Sequence, residues 1–128
     1  MALKCGIRQS GDVTILDLNG VLSIREPATS VARGSVVLGD KVRELLESGN
    51  KKILLNLASL SSMDSAGVGE LIATMTSVRS RGGGLKLINP PRDVRKLLEL
   101  TQLSKVIDIR DNEESAVQAF ATGIPPAA

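Results

Sequence analysis

The stretch Ser61-Ser62-Met63-Asp64-Ser65-Ala66-Gly67-Val68-Gly69-Glu70 stands between a short apolar run and a helical repeat. Upstream, Ile53-Leu54-Leu55-Asn56-Leu57 is almost continuously apolar, which suits a central strand buried on both faces. Downstream, Val68, Leu71, Ile72, Met75 and Val78 recur at i, i+3, i+4, i+7 and i+10, and predict a helix with these five inward. The stretch is therefore a strand-to-helix turn, with the helix starting at Ser65 or Ala66. Asp64 and Ser65 are both good N-caps. One helix uses one cap, so the pair leaves a side chain over for another role. Gly67 and Gly69 each cost about 1 kcal/mol relative to alanine in a helix interior. Either close packing on the sheet or a bare surface open to another protein's backbone accounts for them, and one glycine can serve each purpose.

Working outward from this turn, the N-terminal side begins with an antiparallel hairpin. Leu3, Cys5 and Ile7 alternate, Ser10-Gly11-Asp12 turns, and Val13 to Leu18 alternates again up to Asn19-Gly20. Val21-Leu22-Ser23-Ile24 reads as a third strand or an extension of the second. Residues 25–36 have no period and read as a variable surface loop. A helix is expected from Val37 to Ser48 with Leu38, Val42, Leu45 and Leu46 on one face, stopped by Gly49-Asn50. On the C-terminal side, Gly82-Gly83-Gly84 ends the helix after the turn, and Leu85-Lys86-Leu87-Ile88 forms a strand. A helix from Arg92 carries Val94, Leu97 and Leu98 inward, Leu103 packs the turn that follows, and Val106-Ile107-Asp108-Ile109 is the last strand. A final helix, capped by Asn112, carries Ala116, Val117 and Phe120, and residues 122–128 form a tail. The expected fold is α/β: a mixed sheet of four to five strands, built from the hairpin plus strand–helix repeats, with about four helices. At 128 residues this is one domain, residues 1–128, with its core over about 3–121.

Composition narrows the chemistry. The single aromatic residue, Phe120, rules out an aromatic stacking platform for single-stranded nucleic acid. A net charge of +2, from 16 basic and 14 acidic residues, gives no electrostatic case for a polyanion partner. With no histidine and only Cys5, neither a Ser–His–Asp triad nor a histidine zinc site can form from this chain. Neither a cofactor nor a metal is expected, and Cys5 reads as a small buried hydrophobe. No apolar run of signal or spanning length is present, so membrane insertion is not expected and a cytoplasmic location is. Gly82-Gly83-Gly84 follows a helix and precedes a strand, the reverse of a phosphate loop, and no GxxxxGK[ST] element argues for a nucleotide-binding domain. Asp12 and Asp17 read as turn and solvent-face residues, and Arg92, Arg95 and Lys96 as a small basic patch on a solvated helix face.

The turn itself reads as a phosphorylatable docking point. A phosphate on Ser65 would sit at the positive end of a helix dipole, so it should not unfold the domain. It would add about 1.5 to 2 negative charges beside Asp64, enough to repel a partner fitted to the neutral serine.

Met63-Asp64-Ser65-Ala66-Gly67-Val68-Gly69 together with Ile53-Leu54-Leu55-Asn56-Leu57 resembles the STAS domain, and within it the bacterial anti-sigma factor antagonists. The likeness continues through Arg81-Gly82-Gly83-Gly84-Leu85-Lys86-Leu87 and through Val94 to Leu103, where the helix ends in Leu100-Thr101-Gln102-Leu103. The resemblance implies a non-enzymatic partner switch. An anti-sigma factor serine kinase would phosphorylate Ser65, bind the unphosphorylated form and release the phosphorylated one, and a phosphatase would reset Ser65. The partner-binding set it implies is Ser23, Ser62, Asp64, Ala66, Gly67, Val68 and Gly69. Ala66 replaces a frequent hydroxyl residue, which leaves Ser65 as the acceptor ahead of Ser61 and Ser62. Val21 and Ser23 stand where the family usually carries acidic residues, and residues 25–36 are longer than usual. A scaffold subunit of a stress-signalling complex, or an accessory subunit of a transport system, is the alternative within the same fold.

Overall fold

A computed structural model describes residues 3–22 and 38–121. The expectations for Ser23, Ile24, residues 25–37 and the tail lie outside them. The order is β1 (Leu3–Ser10), β2 (Val13–Leu22), α1 (Leu38–Glu47), β3 (Lys52–Met63), α2 (Ser65–Ser80), β4 (Gly84–Ile88), α3 (Arg92–Leu100), a 3-10 turn (Leu103–Lys105), β5 (Asp108–Arg110) and α4 (Glu113–Ala121). The five strands form one mixed sheet in the order β1-β2-β3-β4-β5. β1 pairs antiparallel with β2, and every later pair is parallel.

This order explains the layers. Each parallel crossover moves one strand further in the same direction. Right-handed crossovers of that kind place their helices on one face of the sheet. Buried residues of α1, α2 and α3 accordingly share one core with Leu16, Leu18, Ile53, Leu55, Leu57, Leu85 and Leu87. α4 follows the last strand and packs Ala116 and Phe120 on the other face, against Val13, Ile15, Leu54 and Ile88. The alternation along β2 and β3 thus feeds two cores, which is why Ile53, Leu54 and Leu55 are all fully buried.

Helix ends follow the glycines. Gly82 has φ +76°, its N–H donates to Arg79 O at 3.0 Å, and that of Gly83 donates to Val78 O at 2.9 Å. Gly49 and Asn50 close α1 in the same paired way, on Leu46 O and Leu45 O. Both are Schellman endings, so Gly82-Gly83-Gly84 is a helix stop, with Gly84 opening β4.

Several expectations shift. Asn19-Gly20 does not end β2; the strand runs on to Leu22, with register irregularities at Asp17/Asn19 and Gly20/Val21. Gly20, at φ +107°, takes up the irregularity that a turn would otherwise need. Val21-Leu22 is therefore an extension of β2. β3 is longer than its apolar run, because its last residues pair with this extension. The last strand begins at Asp108, since Val106 and Ile107 still close the 3-10 turn through bonds to Leu103 O. Leu45 and Leu97 are half-buried, not fully inward. Ile72 points outward, and Thr74 takes the buried position.

Polar groups tie α4 down. Lys86 is buried and pairs with Asp108 at 3.0 Å, below the Phe120 ring at 4.9 Å. Arg8 donates to both carboxylate oxygens of Asp17, at 2.6 and 2.9 Å, and to Glu113 at 2.7 Å, linking β1, β2 and the first turn of α4. Asn56 donates to Asp17 at 2.8 Å. Asp17 is thus a network member, not merely a solvent-face residue.

The Arg8 guanidinium holds the Asp17 carboxyl below the usual carboxylate range; Asn56 adds to this, and partial burial works against it. A depressed folded pKa stabilises the fold above the unfolded value, near 3.9, and that contribution disappears as pH falls through the lower folded value. Asp17→Asn should therefore cost about 1 kcal/mol or less at pH 7, since both partners are partly exposed. It should also flatten the loss of stability below about pH 4, as read from urea melts across pH. An unchanged acid limb in the variant would show that the Arg8 pairing does not set it.

Candidate functional site

The site is built where β3 hands over to α2. β2 and β3 finish side by side, Leu22 opposite Met63, at the carboxyl edge of the parallel strands. Asp64 has extended backbone (φ −107°, ψ −176°) and is the N-cap. Its Oδ1 accepts from the Gly67 N–H at 2.9 Å, and its carbonyl accepts from the Val68 N–H at 3.0 Å. The cap therefore belongs to Asp64. Ser65, the first helical residue, is left out of the cap and exposed.

The two glycines divide their roles. A Cβ on Gly67 would lie 2.2 Å from the Leu22 carbonyl oxygen and 2.7 Å from Met63 Cγ. No side chain fits there, so Gly67 is a packing glycine. A Cβ on Gly69 would meet nothing within 4 Å, so Gly69 is a bare surface glycine.

The other singled-out residues fall around this pair. Ser62 is exposed at the end of β3, opposite Val21. Ser61 is exposed too, but its hydroxyl donates to Gly20 O at 2.9 Å. Ala66 and Asp64 are half-buried, and Gly67 and Val68 are buried. The buried pair holds the turn in place; Ser62, Ser65 and Gly69 are what it presents to solvent. Ser23 lies outside the described residues.

Glu70 and Ile72 were not singled out in the sequence as site residues. Glu70 accepts from the Gly39 N–H at 2.8 Å, which fixes the start of α1 beside the first turns of α2. Ile72 is 43% exposed. One signal was available: Glu70 is the only charged residue from Ser65 to Val78, an unusually low density for a surface helix.

Elsewhere, the basic patch on α3 is divided. Arg92 and Lys96 are exposed, while Arg95 is half-buried and pairs with Asp111 at 2.6 Å. A cavity of about 200 Å³ between α3 and β5 is lined by Arg95, Leu98, Asp108 and neighbours and shares no residue with the Ser65 turn. Among the described residues no cluster of His, Cys, Asp or Glu could hold a metal ion. No described helix is long and apolar enough to cross a membrane. Cys5 is half-buried in β1, and burial raises its thiol pKa, which is the behaviour of a packing residue.

Comparison with known proteins places this geometry. The STAS domain profile matches residues 7–116. The anti-sigma-B factor antagonist of Bacillus subtilis is 37% identical over 82 residues, covering 64% of this chain and 74% of that protein. A Thermotoga maritima protein provisionally assigned as an anti-sigma factor antagonist is 33% identical over 75 residues, 59% of this chain and 66% of that protein, just under two thirds of its length. Its crystal structure superimposes with a TM-score of 0.75 over 89% of this chain and 92% of that one, at 29% identity. The antagonist SpoIIAA in its unphosphorylated form, 22% identical, has the same fold, with a TM-score of 0.62 over 96% of this chain and 100% of that one.

The glycine pair gives opposite expectations for one substitution. Gly67→Ala should lower stability by about 2–3 kcal/mol, because the contacting atom is backbone and cannot turn away. Gly69→Ala should raise it by about 0.5–1 kcal/mol, because helix propensity improves in open space. Chemical denaturation of both variants checks this; equal and like-signed changes would mean the two positions do not differ in packing.

Proposed function

Since the chain belongs to the STAS domain family and groups with its anti-sigma factor antagonists, we propose that it is a partner switch whose state is set at Ser65. In this reading an anti-sigma factor serine kinase binds the chain when Ser65 carries a free hydroxyl, and phosphorylates it. The phosphorylated form dissociates, and a phosphatase restores the hydroxyl. The chain is substrate and ligand, and the kinase supplies the nucleotide chemistry. Ser62, Asp64, Ala66, Gly67, Val68 and Gly69 make or position the contact surface, and Ser23 joins them on the family pattern.

The observation that carries this reading is the separation of cap from acceptor. Asp64 closes the helix through Gly67, so Ser65 can change chemistry without removing the cap. A phosphate there meets the positive end of α2, which favours an anion. The cost falls on the interface. A partner surface fitted to one half-buried carboxylate and a neutral hydroxyl would face about two further negative charges. Repulsion and phosphate desolvation at that contact amount to several kcal/mol, enough to separate bound from free.

Incubation with ATP and each purified anti-sigma-type kinase of the source organism should add one phosphate, mapped by mass spectrometry to Ser65. Ser65→Ala should stay folded and bind the kinase constitutively. Ser65→Asp should stay folded and bind at least about tenfold more weakly. Were both variants to bind like the wild type, Ser65 would be a surface residue with no switching role, and a constitutive scaffold or transport-accessory role would take its place.

A further inference from the structure

The sheet has two edges, and they are built differently. β5 is three residues long and carries Asp108 and Arg110, which pair with each other at 3.1 Å. A short, charged strand is a poor template for a further strand. β1 is eight residues long, contains no proline, and pairs with β2 at every position from Leu3 to Ser10 without a bulge. Among the described residues nothing pairs with its outer side.

The turn after β1 fixes which groups that side offers. Gly11-Asp12 is a two-residue connection, with Gly11 at φ +61°. Such a turn closes on a hydrogen-bonded pair, here Ser10 and Val13. Alternation along the antiparallel ladder then directs the N–H and C=O groups of Cys5, Ile7 and Gln9 to the open edge. Ile7 is 47% exposed, while Leu3 and Cys5, on the same face, pack into the core shared with α1. The Arg8 guanidinium is bound inward by Asp17 and Glu113, so it does not guard the edge.

We infer that β1 is a homodimer interface, in which two copies of this chain join their β1 strands antiparallel with Ile7 on the twofold axis. Free N–H and C=O groups along an edge are matched by another extended strand, and twofold pairing brings the same groups of a second copy opposite them. Charge selects the register. With Ile7 opposite Ile7 of the second copy, Cys5 faces Gln9, Gly6 faces Arg8 and Lys4 faces Ser10, so residues 4–10 are all paired and no two cations meet. A shift that sets Cys5 opposite Ile7 would place Lys4 against Arg8, which like-charge repulsion disfavours. A shift that sets Cys5 opposite itself would pair only residues 3–7. In the chosen register the two exposed Ile7 side chains cover each other, and Gly6 leaves room for the Arg8 side chain across from it. The product is one continuous sheet with five described strands from each copy. Because the joined strands run antiparallel, the two Ser65 turns lie toward opposite ends of that sheet. The interface is thus separate from the partner-switch reading and stands or falls without it.

Sedimentation of the full chain from about 1 to 100 μM tests the interface. The wild type should be dimeric at the upper end. Ile7→Lys, which sets like charges on the axis, should weaken the dimer at least about tenfold and melt within a few degrees of wild type. Ile7→Cys in a Cys5→Ser background should form a crosslinked dimer under mild oxidation, since Cα atoms paired at such a position lie about 5.5 Å apart. Wild-type Cys5, facing Gln9, should not crosslink. If Ile7→Lys does not fold, the Ile7→Cys crosslink decides alone. A wild type that stays monomeric at every concentration overturns the proposal, as does a dimer that Ile7→Lys leaves intact. Crosslinking through Cys5 in the wild type, or none through Ile7→Cys, overturns the register with Ile7 on the axis.

Discussion

α2 can rest on the end of β2 only because residue 67 has no side chain. The Leu22 carbonyl oxygen occupies the space a Cβ would need. The rest of the site follows from that contact by helical geometry. Two residues turn a helix by about 200°, so a residue 67 that faces the sheet sends residues 65 and 69 away from it. Ser65 and Gly69 are exposed for the same reason that Gly67 is buried. Met63 closes the wedge from the β3 side, and Asp64 closes it from above by accepting the Gly67 N–H. The packing contact and the cap converge on one residue, so the presentation of Ser65 is set by the scaffold and not by a loop.

Such an arrangement suits a switch that works without unfolding. A group carried on the first turn of a capped helix alters surface charge and leaves the backbone hydrogen bonds intact. The supporting structure is well packed: α2 lies on a core of buried aliphatic side chains, and Glu70 holds the start of α1 to it. The opposite face is held by different means. α4 buries only a small cluster of its own, and the ionic links Arg8–Glu113 and Lys86–Asp108 supplement it.

Much of the fold was legible because its signals are local. Alternation marked the hairpin, the apolar run marked the central strand, and the glycines at 49 and 82 marked helix ends that the structure closes with paired carbonyl bonds. The misreadings share a cause. Asn19-Gly20 has the local chemistry of a turn, but pairing with β3 carries the strand past it. Ile72 has the right spacing for the core, but the buried stripe of α2 runs through Val68, Leu71, Thr74, Met75 and Val78, and this leaves Ile72 on its exposed side. Val106 and Ile107 look like strand, but the 3-10 turn still needs their N–H groups.

What the sequence determined by itself was the set of elements, the position of the strand-to-helix turn at Asp64-Ser65 and the presence of two competing caps and two costly glycines. These depend on backbone preference and periodicity, which act over a few residues. Which cap closes the helix, which glycine is packed and which is bare, and which side of α2 faces solvent were decided only by the tertiary structure. Each depends on what lies across from the helix: the Leu22 carbonyl, the Met63 side chain and the α1 terminus, brought there by parallel pairing of β2 with β3. No local pattern around Ser65 encodes those neighbours, because they come from residues some 25 to 45 positions earlier or from the preceding strand's end, and only packing brings them to the same place.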